Sequence, residues 1–485
     1  MSEITASPAT ELLELHELSK YGKIGGFHYL KPPGSRFSTV LSNRGCRGQC
    51  SFCSVRSFNG AGVRVRSVAA IVDELAELEE VYGVDHIVWL DDDFLFDRPH
   101  SLELFNAIVQ RGLKITWDCS NGVIAAACSE DVIAGAAGAG CLGLVLGVES
   151  GNPHVLRQMR KPGTVDSFRK AAEVLSRYPS INTRIFLMFG FPGETRRMMR
   201  DTFALALEMN ADWAIIQAVQ PLPNTPLFDQ MVAEGLVQPT DFKGIRYSLG
   251  YYGKLKDRKR DVMTNRFHDV FERSSLDDVP PASEYDDIWA YFNYNLNFQR
   301  LFHENRTEKL LQSLHWLEFV TDLVTPDGAI ALYFRGLLES RLQQNSVSAT
   351  LRRLHSILAG APEWCEQFAT LGFAPRDLQK DPEAHCFRNA YDSRRTSPGK
   401  SCSVSGCLTT SRPAGNRSCT AATTSSTPLA SKFASRAGAF TNTPRGAIAA
   451  STSVKSNGTF FGLFSYTSAM RGIYRLDVQP FRFPP

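Results

Sequence analysis

Apolar and polar positions follow two alternating periods through the middle of the chain. Short, nearly continuous apolar runs at 37–41, 86–90, 113–117, 141–148, 183–189 and 213–217 have the length of strands buried on both faces. The segments between them carry the helical period. Val68, Ile71, Val72, Leu75, Leu78 and Tyr82 repeat at that spacing after Ser67, a residue suited to capping a helix. Further helices are predicted over 101–110, 130–137, 165–177, 196–209 and 226–234. Six β/α units result. Apolar strands alternating with amphipathic helices argue for an α/β fold with a parallel sheet, here a partial (β/α)6, TIM-like barrel. In such barrels the chemistry sits at the C-terminal ends of the strands.

The pattern divides the chain into four parts. Residues 1–36 show little beyond a possible helix at 11–18 and read as an N-terminal extension packed on the barrel. Residues 37–240 are the barrel. Residues 241–392 are mostly helical: a charged stretch containing Lys254-Leu-Lys-Asp-Arg-Lys-Arg260 reads as a solvated helix face, and helices are predicted at 289–302, 309–324 and 348–358. These helices are expected to cap the open side of the barrel, with Tyr291, Phe292, Tyr294 and Phe298 in their core. In residues 393–485, 28 of 93 positions are Ser or Thr and no hydrophobic period persists. That composition is a disordered, low-complexity tail or the product of a shifted reading frame.

Charge changes the picture once the tail is set apart. The formal net charge is +3, but residues 393–485 hold 12 Lys/Arg against one acid, Asp477. Residues 1–392 therefore hold 41 Lys/Arg against 49 Asp/Glu, and no nucleic-acid face is evident in them. The start, Met-Ser-Glu-Ile-Thr, lacks the features of a signal peptide. The uncharged run 132–148 is shorter than a typical bilayer span, so no membrane span is expected. Eleven cysteines without an export signal read as thiols or metal ligands in a reducing cytoplasm.

The densest chemistry follows the first strand: Cys46-Arg-Gly-Gln-Cys50-Ser-Phe52-Cys53. Three thiolates on one short loop, with no fourth cysteine or histidine close by, do not make a closed structural zinc site. They suit a four-iron four-sulfur (4Fe-4S) cluster, which cysteine thiolates can hold and which three would leave open at one corner. At the ends of later strands stand Asp91-Asp92-Asp93, Glu149-Ser150-Gly151 and Gly190-Phe-Pro-Gly-Glu194.

From Phe37 to Leu236 this series resembles the radical S-adenosylmethionine (radical SAM) superfamily, with the aromatic Phe52 before the third cysteine. Asp91-Asp92-Asp93-Phe94 resembles the cobalamin-type subgroup. Only 45 residues precede Cys46, however, too few for a cobalamin-binding domain. The resemblance implies the partial barrel, a 4Fe-4S cluster on Cys46, Cys50 and Cys53, and S-adenosyl-L-methionine held by Phe52, Asp91, Asp92, Glu149, Ser150, Gly190 and Glu194. Asp91 and Asp92 would meet the methionyl ammonium, Glu149 the ribose, and Phe52 and Gly190 the adenine. Glu194 would either touch the ligand or cap the next helix. Lys161-Pro-Gly-Thr matches the family's run into a helix, and Gln220-Pro-Leu-Pro-Asn-Thr-Pro226 its proline-rich loop, with Asn224 in place of glycine.

The implied activity is reductive cleavage of S-adenosylmethionine and hydrogen abstraction from a small-molecule substrate. It implies oxygen sensitivity and an electron donor such as flavodoxin or ferredoxin. Methyl transfer or a carbon-skeleton change could follow. The rival readings are a non-catalytic metal or iron–sulfur module, which leaves the polar strand ends unexplained, and a gene product with a defective C-terminus.

Overall fold

The computed structural model describes residues 25–238, 263, 266–324 and 328–373. The expected helix at 11–18, the run Lys254–Arg260 and the tail 393–485 lie outside the described residues. Strand β1 (Phe37–Val40) leads into a two-stranded antiparallel ribbon, β2 (Asn43–Arg44) and β3 (Arg64–Val65), with the short helix α1 (Val55–Asn59) between its arms. The chain then runs α2 (Val68–Glu80), β4 (His86–Trp89), α3 (Arg98–Arg111), β5 (Thr116–Val123), α4 (Glu130–Gly138) and β6 (Cys141–Glu149). It continues with α5 (Pro153–Gln158), α6 (Val165–Ser176), β7 (Asn182–Phe189), α7 (Arg196–Met209), β8 (Trp213–Ala218) and α8 (Pro226–Ala233).

Six strands form one parallel sheet in the order β1-β4-β5-β6-β7-β8. Sheet order equals chain order, so each crossover carries a helix over the same outer face, as a partial barrel requires. Local signals set the helix starts. Ser67 Oγ accepts from Ala70 N, Thr195 from Met198 N and Thr225 from Phe228 N, while Thr164 and Ser167 cap α6 reciprocally. Helix α3 starts at Arg98, earlier than the apolar spacing indicates, with Pro99 in its first turn.

Strand β5 departs from its expected place: it spans Thr116–Val123 rather than 113–117. Trp117 and Cys119 belong to the apolar core, where the Trp117 ring stacks on Phe105 with centroids 5.5 Å apart. The alternate residues Thr116, Asp118 and Ser120 are polar and hydrogen-bond to one another's partners inside the barrel. A strand whose inner face is polar breaks the continuous apolar run used to find it.

The floor of the half-barrel is filled from the N-terminal side. Phe27 is fully buried against Gly143, where a Cβ would stand 2.3 Å from its ring. Gly26 N donates to Ser120 Oγ at 2.7 Å, and Lys31 Nζ donates to Thr116 Oγ1 at 2.9 Å. The buried His86 imidazole bridges Thr116 Oγ1 and Asp118 Oδ2 at 2.8 and 2.9 Å.

The later helices are α9 (Tyr285–Asn293), α10 (Thr307–Phe319), α11 (Ala329–Arg341), α12 (Val347–Gly360) and α13 (Pro362–Leu371). The helix expected at 289–302 is interrupted by a π-helical turn, Tyr294–Phe298. That turn has a use. Asn297 accepts from Ala214 N at 2.6 Å and donates to Ala214 O at 2.9 Å, and Trp289 Nε1 donates to Ile216 O. These side chains occupy the free edge of β8 as another strand would, at an edge otherwise prone to pair with other chains. Helix α10 is fastened under the sheet, where Lys309 Nζ meets Asp212 Oδ2 at 2.6 Å and Ile181 O at 2.7 Å.

Candidate active site

The loop after β1 brings Cys46, Cys50 and Cys53 to the C-terminal end of the sheet, each partly exposed. Its position is fixed from both flanks. Ser51 N donates to Met159 O at 2.9 Å, and Ser51 O accepts from Leu227 N at 2.9 Å. The loop is thus tied both to the segment following β6 and to the segment following β8. Cys46 Sγ accepts from Gly48 N at 3.2 Å. A Cβ on Gly48 would lie 3.3 Å from Cys46 Sγ and 3.8 Å from Cys50 Sγ, so the glycine keeps open a space bordered by two sulfurs. Burial pushes the thiol of Cys46 up to about 11 and that of Cys50 up to about 12; burial raises Cys53 as well. Thiolates here need a cation or metal to persist.

The three acids after β4 turn toward this loop one after another. Both oxygens of Asp91 accept from Ser42 N at 3.1 Å, and Oδ1 also accepts from Ser42 Oγ and from Asn43 N at 2.8 Å. Asp91 is fully buried, and burial lifts its carboxyl to about 7 against the pull of those donors. Asp92 Oδ2 accepts from Gly45 N at 3.0 Å and Asn59 Nδ2 at 2.6 Å. Asp93 Oδ2 meets Arg47 Nε at 3.0 Å and lies 3.9 Å from Cys46 Sγ. The acids therefore extend the β1–β4 pairing beyond the strand ends, side chain to backbone. Asp93 Oδ1 and Asn43 Oδ1 are buried with no hydrogen-bond partner among the described residues.

Glu149 ends β6 with φ at +64°, a left-handed conformation uncommon outside glycine, where the register with β7 slips. Such strain persists where surrounding structure enforces it and concentrates at functional sites. Its carboxylate meets Lys161 Nζ at 2.9 Å, both side chains being nearly buried. Gly147 makes room for this ammonium, since a Cβ there would lie 2.7 Å from Nζ. Burial works against the charge of Lys161, but the Glu149 carboxylate outweighs it and raises the ammonium above its ordinary value.

The remaining candidates divide. Phe52 is half-buried, edge-on to Phe191 with centroids 6.1 Å apart. Ser150 is fully buried and turned toward α7, its Oγ 3.0 Å from Thr202 Oγ1. Gly190 has φ at +86° and lies under Tyr285, whose hydroxyl would be 2.8 Å from a Cβ. Glu194 Oε2 closes its own turn, accepting from Gly190 N at 2.7 Å and Phe191 N at 3.1 Å. The cap on α7 is Thr195 rather than Glu194. Glu194 Oε1 has no partner among the described residues, and burial raises the carboxyl to about 7. Asn224, standing where glycine was expected, has φ at +60°, the conformation that favours glycine.

The profile of the radical SAM superfamily matches residues 40–206, from the first strand to α7. Over those residues the chain is similar to the radical SAM superfamily. An uncharacterized methyltransferase of Pyrococcus horikoshii is 30% identical over 207 residues, 43% of this chain and 44% of that protein. Cytidylyl-2-hydroxyethylphosphonate methyltransferase of Streptomyces wedmorensis is 27% identical over 47% of this chain and 43% of its own length. An anaerobic magnesium-protoporphyrin IX monomethyl ester cyclase of Cereibacter sphaeroides is 28% identical over 44% of this chain and 35% of its own. The matched part spans less than half the length of these relatives. Among solved structures, the cobalamin-dependent S-adenosylmethionine radical enzyme OxsB aligns with a TM-score of 0.41 at 14% identity, over 72% of this chain and 58% of that one.

Lys161 is a residue of this candidate site to which the sequence alone assigned no role. It lies 12 residues beyond Glu149, and nothing local signals that the two converge. Among the described residues no helix is long and apolar enough to cross a membrane. No group of three His, Cys, Asp or Glu among them is placed to hold a single metal ion.

Proposed function

We propose that this chain is a radical SAM enzyme acting on a small-molecule substrate. Cys46, Cys50 and Cys53 would hold a 4Fe-4S cluster and leave one iron for S-adenosyl-L-methionine. The observation that carries this reading is three cysteines on one loop pinned at Ser51, with Gly48 keeping open a space bordered by the sulfurs of Cys46 and Cys50. A bound cluster would supply one electron to the sulfonium, giving methionine and a 5′-deoxyadenosyl radical that takes hydrogen from an unactivated carbon.

This chain's own residues have distinct tasks in that reading. Asp91 spends both oxygens on Ser42 and Asn43, so it positions the loop rather than meeting the methionyl ammonium. Asp92 does the same at Gly45 through one oxygen. The unpartnered acceptors Asp93 Oδ1 and Asn43 Oδ1, beside the carboxylate oxygen that reaches Cys46, are better suited to receive the ammonium. Glu149 takes the ribose hydroxyls once its pairing with Lys161 is shared with the ligand. Phe52 and Gly190 line the adenine, Glu194 holds the turn beneath it, and Ser150 fastens β6 to α7. Methyl transfer or ring closure, the activities named for the matched relatives, are the expected outcomes for the substrate.

We place the protein in a reducing, cytoplasmic setting with an electron carrier of the flavodoxin or ferredoxin type, and expect inactivation by oxygen. All seven described cysteines are free thiols, which supports that setting. Anaerobic reconstitution, iron and sulfide analysis, and assay of 5′-deoxyadenosine under dithionite test the proposal. About four irons per chain, lost in Cys50→Ala, and 5′-deoxyadenosine release are expected. Stoichiometric zinc with no iron after anaerobic preparation, or an iron-loaded protein that never releases 5′-deoxyadenosine, would overturn it.

A further inference from the structure

A basic surface surrounds the cysteine loop. Between Glu17 and Asp73 the chain carries nine Lys/Arg and no acid, although residues 1–392 as a whole have more acids than bases. Five of these are arginines of the loop and the ribbon that follows it: Arg44, Arg47, Arg56, Arg64 and Arg66. Two are used internally. Arg47 pairs with Asp93 and donates to Phe96 O, and Arg66 pairs with the buried Glu74. The others are not so used. Arg44 and Arg56 are exposed and bond to no acid or carbonyl among the described residues. Arg44 stands directly opposite Arg64 across the ribbon, and Arg64 reaches only the Asn59 carbonyl. Like charges facing each other across two strands cost stability, and no carboxylate relieves them here. Beside them on α1, Phe58 is 78% exposed, the most exposed of the large apolar side chains described.

These groups flank the thiols. Arg44 is two residues before Cys46, Arg56 is three after Cys53, and α1 is tied to the mouth by the bond from Ser57 Oγ to Asn224 O at 2.7 Å. Uncompensated cations around an exposed aromatic ring have the composition of a docking surface, where Arg and aromatic residues are enriched. Their charge selects an acidic partner and speeds its encounter. Resting on the function proposed above, we infer that Arg44, Arg56, Arg64 and Phe58 form the docking site of a small acidic one-electron carrier protein, beside the cysteines that would receive its electron. In the step itself the reduced carrier would lose one electron to a cluster held by Cys46, Cys50 and Cys53, with no bond or proton moved.

The test uses the full chain and a purified bacterial flavodoxin. Variants are Arg44→Glu with Arg56→Glu, and separately Phe58→Ser. Binding of oxidised flavodoxin to the unreconstituted chain is measured by calorimetry at low and high salt. Release of 5′-deoxyadenosine by the reconstituted chain is then driven either by flavodoxin hydroquinone or by dithionite. The double charge reversal should weaken binding and the flavodoxin-driven kcat/KM about tenfold or more, with the wild-type loss at high salt largely abolished. Phe58→Ser should weaken both severalfold. Dithionite-driven release should stay within about twofold. The melting temperature should hold or rise by about one degree, because the new carboxylate faces Arg64. Unchanged flavodoxin binding in the double variant would overturn the inference, as would a parallel loss of the dithionite-driven rate, or binding of a single-stranded RNA oligomer but not flavodoxin. If neither reductant yields 5′-deoxyadenosine, the enzymatic reading fails, while the binding arm still decides whether this surface takes an acidic carrier.

Discussion

At the floor of the half-barrel Asp212 gathers Lys309, Arg300 and the backbone of Thr183, all from separate elements. At the mouth Asp91, Asp92 and Glu194 turn instead to the backbone of adjoining loops. The floor spends charge on charge, and its groups saturate one another across the interface with the later helices. The mouth keeps the pairs Glu149–Lys161 and Asp93–Arg47 but gives its other carboxylates to shape. Its carboxylates fix the course of Ser42–Arg47 and of the 190–194 turn, and leave acceptors such as Asp93 Oδ1 and Glu194 Oε1 without partners among the described residues. The difference teaches how one sheet can be closed at one end and receptive at the other with the same residue types. Buried charges paired with each other hold elements together, and carboxylates bonded to N–H groups hold a loop open for a ligand.

Asp212→Ala attacks the floor and has the largest expected effect. It strands the buried Lys309 ammonium and leaves Arg300 with Glu304 as its one carboxylate partner among the described residues, so chemical denaturation should show a loss of about 3–5 kcal/mol. Iron bound per folded molecule should be retained. Iron loss matching the stability loss would erase the distinction between the two ends. Glu194 tests the mouth through pH. Burial raises its carboxyl to about 7, above its value in an unfolded chain. The folded protein therefore binds a proton that the unfolded chain lacks. Its contribution is complete below the unfolded pKa, about 4.3, and is lost as pH rises through 7, with on the order of 3 kcal/mol at stake. Urea midpoints of wild type and Glu194→Gln measured across that window should diverge by that slope; parallel curves would mean the carboxylate is ionised throughout.

Asp91→Ala sharpens the contrast from the other side. It leaves buried N–H groups of Ser42 and Asn43 without acceptors, at about 1–3 kcal/mol, and should release iron out of proportion to that loss. Intact iron content after anaerobic reconstitution would remove Asp91 from its positioning role. The smallest effect is a gain. Asn224→Gly relieves a left-handed residue at the loop bonded to α1 and should change stability by no more than about 1 kcal/mol, in the stabilising direction, by thermal melt. A clear loss would show that the Asn224 side chain, and not its backbone, matters there.

Most of the fold was legible because parallel strands buried on both faces write themselves as apolar runs. Five of the six sheet strands fall within a residue or so of their expected bounds. The ribbon β2–β3 was not legible, since two-residue strands carry no period. Nor was the extent of β5, whose inner face is polar. The cysteine loop was legible because its spacing is local. The strand-end acids were found by position, but not where their carboxylates point.

By itself the sequence determined the order of strands and helices, the three thiols on one loop and the acids at strand ends, because each depends on neighbours a few residues away. Only the tertiary structure decided that Asp91 holds the loop, that Lys161 meets Glu149, that Asn297 completes the edge of β8 and that Arg44 faces Arg64. Each of those pairs joins residues 12 to 83 positions apart, or sets one residue's direction by packing. Side-chain direction and long-range pairing are settled by which buried polar groups find partners when the elements close, and that is a property of the assembled chain.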